Sequence, residues 1–121
     1  MKRAIAPALF CLLTLAVPAV GGEADIVGVE VRRDGGGWTF DVTVRHADTG
    51  WDHYADRWDV VAPDGTVLAT RTLYHPHVSE QPFTRSLRGI AIADGIDAVT
   101  LRAHDSVHGY GGEEIRVSLP R

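Results

Sequence analysis

Residues 38–46, WTFDVTVRH, decide the fold, because apolar and polar side chains alternate along the whole stretch. One face would carry Trp38, Phe40, Val42 and Val44, and the residues between them are polar or charged. Side chains of a β-strand point alternately to opposite faces of a sheet, whereas a helix repeats every 3.6 residues. The stretch therefore predicts a half-buried strand.

Six further short runs also have apolar residues at alternate positions. Turn residues such as Pro63-Asp64-Gly65 and Asp94-Gly95 separate the runs. No helix-length pattern with a 3.6-residue period interrupts them. The seven predicted strands span residues 26–33, 38–46, 55–62, 66–74, 83–92, 98–104 and 114–119. This number and spacing predict an all-β fold, a seven-stranded antiparallel sandwich.

In strand count, in spacing and in the position of Trp58 on the third strand, the chain resembles immunoglobulin-like and fibronectin type III domains. The paired cysteines of antibody domains and a clear tyrosine corner are missing, and a shared architecture implies no activity. The segments 75–77 (HPH), 80–87 (EQPFTRSL) and 108–112 (HGYGG) are also similar to those of small exported bacterial proteins of unknown role.

Residues 1–22 are expected to form a secretory signal peptide, with cleavage after Gly22 or as late as Ala24. Positive residues begin the chain, a mostly apolar run with two prolines follows at 4–20, and small residues come next. That run is too short for a good membrane span. We therefore predict a periplasmic or secreted protein in which residues 23–121 form one β-sandwich domain without a stable membrane span.

Charge and cysteine content narrow the possible partners. The single cysteine, Cys11, lies inside the predicted signal peptide, so the mature domain would have no disulfide and no thiolate ligand. The mature chain would keep 10 arginines against 16 acidic residues, a formal charge of −6. This acidic balance argues against nucleic acid and against an anionic membrane surface as partners.

All six histidines are expected at one end of the sandwich, because consecutive antiparallel strands alternate in direction. Neutral imidazole is the commonest metal ligand in proteins, and imidazole with carboxylate but without thiolate suits Zn(II) or Cu(II). The first-ranked predicted metal ligands are His75, His77 and His108, followed by His53 and His104. His75 and His77 flank Pro76, and in an extended segment both rings would lie on one side.

Other residues of the same loops have predicted supporting roles. The carboxylates of the same loops would be ligands or would orient an imidazole; they are Asp48, Asp52, Glu80 and Asp105. His46 has the inward parity of its strand and is expected at the edge of the core. Aromatic residues that would wall a shallow site or cap the core are Trp51, Tyr54, Tyr74 and Tyr110. Clustered imidazoles should repel one another when protonated, which predicts lowered histidine pKa values.

These patterns favour an exported, non-catalytic metal-binding sandwich, a periplasmic carrier or sensor for Zn(II) or Cu(II). The alternative is a protein- or glycan-interaction module of the cell envelope that uses the same loops and no metal. An enzyme is disfavoured, since Ser106 lies near Asp105 and His108 in sequence but without the strand, elbow and helix of a hydrolase nucleophile. The predicted partners are a metal ion and another envelope protein.

Overall fold

The computed structural model describes residues 22–121, so residues 1–21 of the predicted signal peptide, with Cys11, lie outside the described residues. Within the described range the chain forms seven β-strands and no helix, and hence no helix that could cross a membrane. The strands are β1 Asp25–Asp34, β2 Gly37–Arg45, β3 Ala55–Val61, β4 Val67–Thr72, β5 Phe83–Ile90, β6 Ala98–Asp105 and β7 Ile115–Ser118.

The strands form two antiparallel sheets, one of three strands in the order β1-β2-β5 and one of four strands in the order β4-β3-β6-β7. Each strand has one face that must be buried, and two facing sheets meet that need. The predicted all-β, seven-stranded antiparallel sandwich is thus confirmed.

The core lies between the two sheets and contains the residues that the alternation assigned to it. Phe40, Val42 and Val44 of β2 are fully buried, and they face Trp58 of β3 and Leu101 of β6, which are equally inaccessible. Burying a side chain of this size contributes about 1.5–3 kcal/mol to stability. The sandwich therefore has a well-filled centre without any disulfide.

The first strand departs from its predicted pattern. In the sequence, Val27, Val29 and Val31 alternate with other residues, which predicts that they share one face, but the register of β1 against β2 shifts between Ile26 and Gly28. A β-bulge places two residues opposite one and reverses the alternation. Ile26, before the bulge, is therefore buried, and after the bulge Val29 and Val31 pack against the same core.

The pairing of strand ends confirms the alternation of direction on which the histidine argument depends. Arg45, at the end of β2, pairs with Asp25, and Val44 pairs with Phe83 at the start of β5. Ala55, at the start of β3, pairs with Asp105 at the end of β6. All six histidines lie at this end, which we call the histidine end; it comprises residues 22–24, 46–54, 73–82 and 104–114. Residues 22–24 lie at the same end, because β1, which follows them, begins beside the end of β2.

Candidate metal centre

The carboxylate of Asp105, at the end of β6, forms the middle of a side-chain cluster at the histidine end. It is fully buried, and its Oδ2 accepts hydrogen bonds from the backbone N–H groups of His108 (2.5 Å) and Val107 (3.0 Å) and contacts His108 Nδ1 at 2.9 Å. These contacts fix the rotation of the carboxylate. They leave Oδ1 directed at His46 Nε2, 2.5 Å away, and at His53 Nε2, 2.7 Å away.

His46 directly follows β2, and its side chain is completely buried. Its Nδ1 contacts Oδ1 of Asp48, whose carboxylate also accepts hydrogen bonds from the backbone N–H groups of Ala55 (3.1 Å) and His77 (2.6 Å). A carboxylate that accepts the Nδ1 proton leaves Nε2 as the nitrogen available to a metal, an arrangement usual for metal-bound histidine. Asp48 thus orients His46 toward Asp105.

His53 lies in a tight turn of the β2–β3 loop. Its N–H bonds to the carbonyl of Gly50 (3.1 Å), and its carbonyl accepts from the N–H of Thr49 (3.0 Å). The ring of His53 lies 4.8 Å from that of His46 and 5.0 Å from that of His108, measured between centroids. Three imidazoles from two loops and a strand end therefore surround the Asp105 carboxylate.

Two atoms of this cluster are buried without a hydrogen-bond partner, namely His53 Nε2 and Asp105 Oδ1. They lie 2.7 Å apart, but their orientation does not meet the angular requirement of a hydrogen bond. A buried polar atom without a partner costs about 1–3 kcal/mol, and a bound cation would satisfy both atoms.

Within residues 22–121, a single group of three or more histidine, cysteine, aspartate or glutamate residues has its ligand atoms close enough to share an ion. It consists of His46, His53 and Asp105, with ligand atoms all within 4.8 Å of one another. Two imidazoles and one carboxylate match the donor types that Zn(II) and Cu(II) accept. His108 lies against the same carboxylate through Oδ2.

At His46 the neighbouring carboxylates reverse the pKa shift expected for a clustered imidazole. Burial lowers the pKa of His46, but hydrogen bonds with Asp48 and Gly22 and the negative charge of Asp105 outweigh it, so the pKa lies above its ordinary value. Burial raises the pKa of Asp48 and of Asp105, yet hydrogen bonds with their neighbours outweigh burial and hold both pKa values below the ordinary value. The prediction of lowered pKa values was wrong for His46, because the two carboxylates and the Gly22 carbonyl favour its protonated form.

His75 and His77, which the sequence ranked first as ligands together with His108, lie in the β4–β5 loop beside this cluster and outside the group. The ring of His77 stacks on Phe83, with 3.8 Å between centroids, and its Nε2 lies 2.9 Å from Nη2 of Arg85. Burial, then the charges of Arg85 and His75, lower the pKa of His77. His75 is exposed, and its ring lies 4.7 Å from that of His77. Packing against Phe83 directs His77 to the core edge, and its backbone N–H positions Asp48.

His104 points away from the cluster, because alternate residues of β6 face outward. Its Nδ1 lies 2.7 Å from Asp56 Oδ1, and its ring meets that of Tyr110 edge to face. Tyr110 covers the outer face of the four-stranded sheet, where its hydroxyl donates a 2.7 Å hydrogen bond to the buried carboxylate of Asp59. Thr70 and Arg102 donate to the same carboxylate. This network on Asp59 is not apparent from the sequence.

The other predicted site residues lie around the cluster without entering it. Asp52 is exposed in the turn before His53. Glu80 is also exposed, and its Oε1 accepts a long hydrogen bond of 3.4 Å from Nη2 of Arg85. Trp51 and Tyr54 pack against each other with 5.6 Å between ring centroids. Trp51 and Tyr74 are among the most exposed large apolar side chains in the described part of the chain, at 67% and 74%.

Two sequence signals could have identified the cluster. His46 has the inward parity of β2, and two residues later Asp48 offers a carboxylate to orient the ring. Asp105 precedes Val107 and His108, the spacing at which an aspartate caps the backbone N–H groups of its own turn. Taken alone, however, the inward parity of His46 indicates a residue at the edge of the core rather than a ligand.

Comparisons with known proteins give one relative. Over 96 residues the chain is 44% identical to a protein of Halomicrobium mukohataei named "Putative lipoprotein"; the match covers 78% of this chain and 47% of the relative. The chain thus spans about half the length of the curated relative it matches. No protein-family model matches the chain, and no solved structure matches it.

Proposed function

We propose that this protein is an exported β-sandwich that binds Zn(II) or Cu(II) through His46, His53 and Asp105, as a carrier or sensor of the cell envelope. The observation that carries the proposal is the pair of buried, unpartnered ligand atoms, His53 Nε2 and Asp105 Oδ1, beside His46 Nε2. A cation placed among them would satisfy atoms that the protein alone leaves unsatisfied.

The surroundings of the three ligands support a site prepared for an ion. Asp48 orients His46, and the turn from Asp105 to His108 holds the carboxylate, so two of the ligands are fixed before any ion arrives. Ligands fixed in this way lose little entropy on binding. His53 and His108 are partly exposed, at 24% and 38% of their side chains, and form the path by which an ion would enter.

Two observations support the proposal that the protein is exported. The N-terminal residues have the sequence pattern of a secretory signal peptide. The relative from Halomicrobium mukohataei is named as a lipoprotein candidate, which suggests an envelope-associated protein. We propose no catalytic role, and the periplasm or the cell exterior is the proposed location.

Calorimetric titration with Zn(II) and with Cu(II) near neutral pH tests the metal proposal. The wild-type protein should show saturable binding with one ion per chain, and His46→Ala and His53→Ala should each remove it. His75→Ala is the matched control, because it deletes an exposed imidazole of the same end without touching the group. Saturable binding that survives both ligand substitutions, or no saturable binding in the wild type, would contradict the proposal.

A second candidate function is a protein- or glycan-interaction module, favoured by the exposure of Trp51 and Tyr74 at the same end. Such a module would bind envelope polysaccharide in the presence of a chelator. Trp51→Ala and Tyr74→Ala would each weaken that binding, and His46→Ala would not. Retention on immobilised polysaccharide, measured for the three variants, separates this function from metal binding.

A further inference from the structure

The residues that lead into β1 pass directly over the candidate metal centre. The main-chain carbonyl oxygen of Gly22 lies 2.7 Å from Nε2 of His46, the same nitrogen that faces Oδ1 of Asp105. His46 Nε2 therefore meets two oxygen atoms from different parts of the chain. An ion bound at this point would take the place of these contacts.

A side chain at Gly22 would also crowd two imidazoles of the cluster. Its φ is +91°, and a Cβ built there would lie 2.9 Å from Cε1 of His108 and 3.1 Å from Cε1 of His53. Contacts this short force a neighbour to move, and the neighbours are two imidazoles of the cluster. A glycine at this position thus permits the main chain to approach the cluster closely.

The segment that carries Gly22 is fixed to the fold on its other side. Ala24 is 1% exposed and belongs to the core, and the N–H of Ile26 bonds to the carbonyl of Glu113 at 2.9 Å. In return, the N–H of Glu113 bonds to Asp25 Oδ1 at 2.8 Å. Residues 22–24 are thereby held between the start of β1 and the β6–β7 loop.

We infer that the Gly22 carbonyl is the fourth ligand of the metal and that residues 22–24 close over the ion. The inference rests on the proposed function, since it assigns a further ligand to the same centre. Two imidazole nitrogens, one carboxylate oxygen and one carbonyl oxygen would complete a four-coordinate site. The metal would then tie the start of the fold to the β2–β3 and β6–β7 loops.

This ligand set has a consequence for export. Cleavage after Gly22 or after Ala24 would remove the carbonyl, and cleavage after Ala24 would also remove a core residue. Cleavage after Gly21 would retain it, and Ala19 and Gly21 place small residues at the two positions that signal peptidases require. We therefore expect the exported protein to keep Gly22.

Zinc titration of the full chain tests the carbonyl ligand. Gly22→Ala should weaken Zn(II) binding by at least about tenfold, because the new methyl group displaces the imidazoles or the carbonyl. Gly35→Ala is the control; its φ of +64° imposes a similar backbone strain, but no atom lies within 4 Å of the added Cβ. Equal affinity in the two variants would overturn the inference. If His46→Ala also binds zinc normally, the proposed function fails as well.

Protection of residues 22–24 from proteolysis tests the closure without the Gly22 substitution. A glutamate-specific protease can cut after Glu23 only when residues 22–24 open, so Zn(II) should slow that cut in the wild type. Cutting after the exposed Glu80 is the internal control and should proceed at the same rate. Equal rates at Glu23 with and without Zn(II) would overturn the closure. Mass spectrometry of the exported protein gives a further test. An N-terminal residue of Glu23 or Asp25 would also overturn the inference, because Gly22 would be missing.

Discussion

Replacing Asp105 by asparagine separates the structural role of this side chain from its role as a ligand. The amide oxygen can take the place of Oδ2 and accept the hydrogen bonds from the backbone of Val107 and His108. The amide nitrogen then replaces Oδ1 and points an N–H donor at His46 and His53. The fold should therefore survive, whereas the negative ligand atom is lost.

The expected cost without metal follows from the contacts that change. The two backbone hydrogen bonds are kept, and the charged contact of Oδ1 with His46, at 2.5 Å between fully buried side chains, is lost. The contact is an ion pair rather than a hydrogen bond, and losing one charge of such a buried pair should cost about as much as losing a hydrogen bond to a charged group, about 1.5–3 kcal/mol. For a domain of this size each kcal/mol corresponds to about 4–8 °C in Tm, so the Tm of the variant should fall by roughly 6–24 °C.

The response to Zn(II) is the decisive measurement. At a metal concentration of 100 times Kd the wild-type protein gains about 2.7 kcal/mol, a rise of roughly 11–22 °C in Tm. If the variant binds about 100-fold more weakly, the same concentration gives about 0.4 kcal/mol, a rise of less than about 4 °C. Thermal unfolding followed by circular dichroism at several Zn(II) concentrations measures both.

Asp41→Asn is the matched control, because Asp41 pairs with Arg32 (2.8 Å) on the outer face of the other sheet. It should keep the full response to Zn(II). A rise in Tm for Asp105→Asn equal to that of Asp41→Asn would show that Asp105 is no ligand and would refute the reasoning.

Three further predictions concern stability. Tyr110→Phe removes the hydroxyl that donates to the buried carboxylate of Asp59 and should lower the free energy of unfolding by about 1.5 kcal/mol in urea denaturation; no change would exclude a stabilising hydrogen bond. Burial raises the pKa of Asp59, but hydrogen bonds led by that of Tyr110 outweigh it, so the folded pKa lies below the ordinary value near 4. The ionised Asp59 carboxylate contributes fully to the free energy of unfolding above that value, and the contribution is lost as pH falls through the folded pKa. In denaturation series between about pH 5 and 2, the stability of the wild type should therefore decline more steeply than that of Asp59→Asn. Parallel curves for the two proteins would contradict this. Gly37→Ala should cost about 1–3 kcal/mol, because its Cβ would lie 2.9 Å from the backbone of Gly89, while Gly36→Ala, with open space around it, should be neutral; similar values for the two would argue against the close approach.

The sequence by itself determined the strands and their inward faces. The alternation of β2 and the turn at Pro63-Asp64-Gly65 are local signals, since a period of two and a preference for φ > 0 depend on neighbouring residues alone. Alternation of strand direction then brought all six histidines to one end, because direction follows from counting turns. The bulge at Val27 escaped this logic, as did the register shifts in three other strand pairs, because the sequence has no local signal for them.

Only the tertiary structure decided which histidines converge. The sequence ranked His75, His77 and His108 first, whereas the structure gathers His46 and His53 around Asp105, with His108 against the other oxygen of that carboxylate. The reason is that convergence depends on how loops from two sheets pack and on which carboxylate oxygen is already engaged, and neither is a property of adjacent residues. The approach of Gly22 to the same point likewise depends on where β1 pairs with β2, a contact between residues more than twenty positions apart.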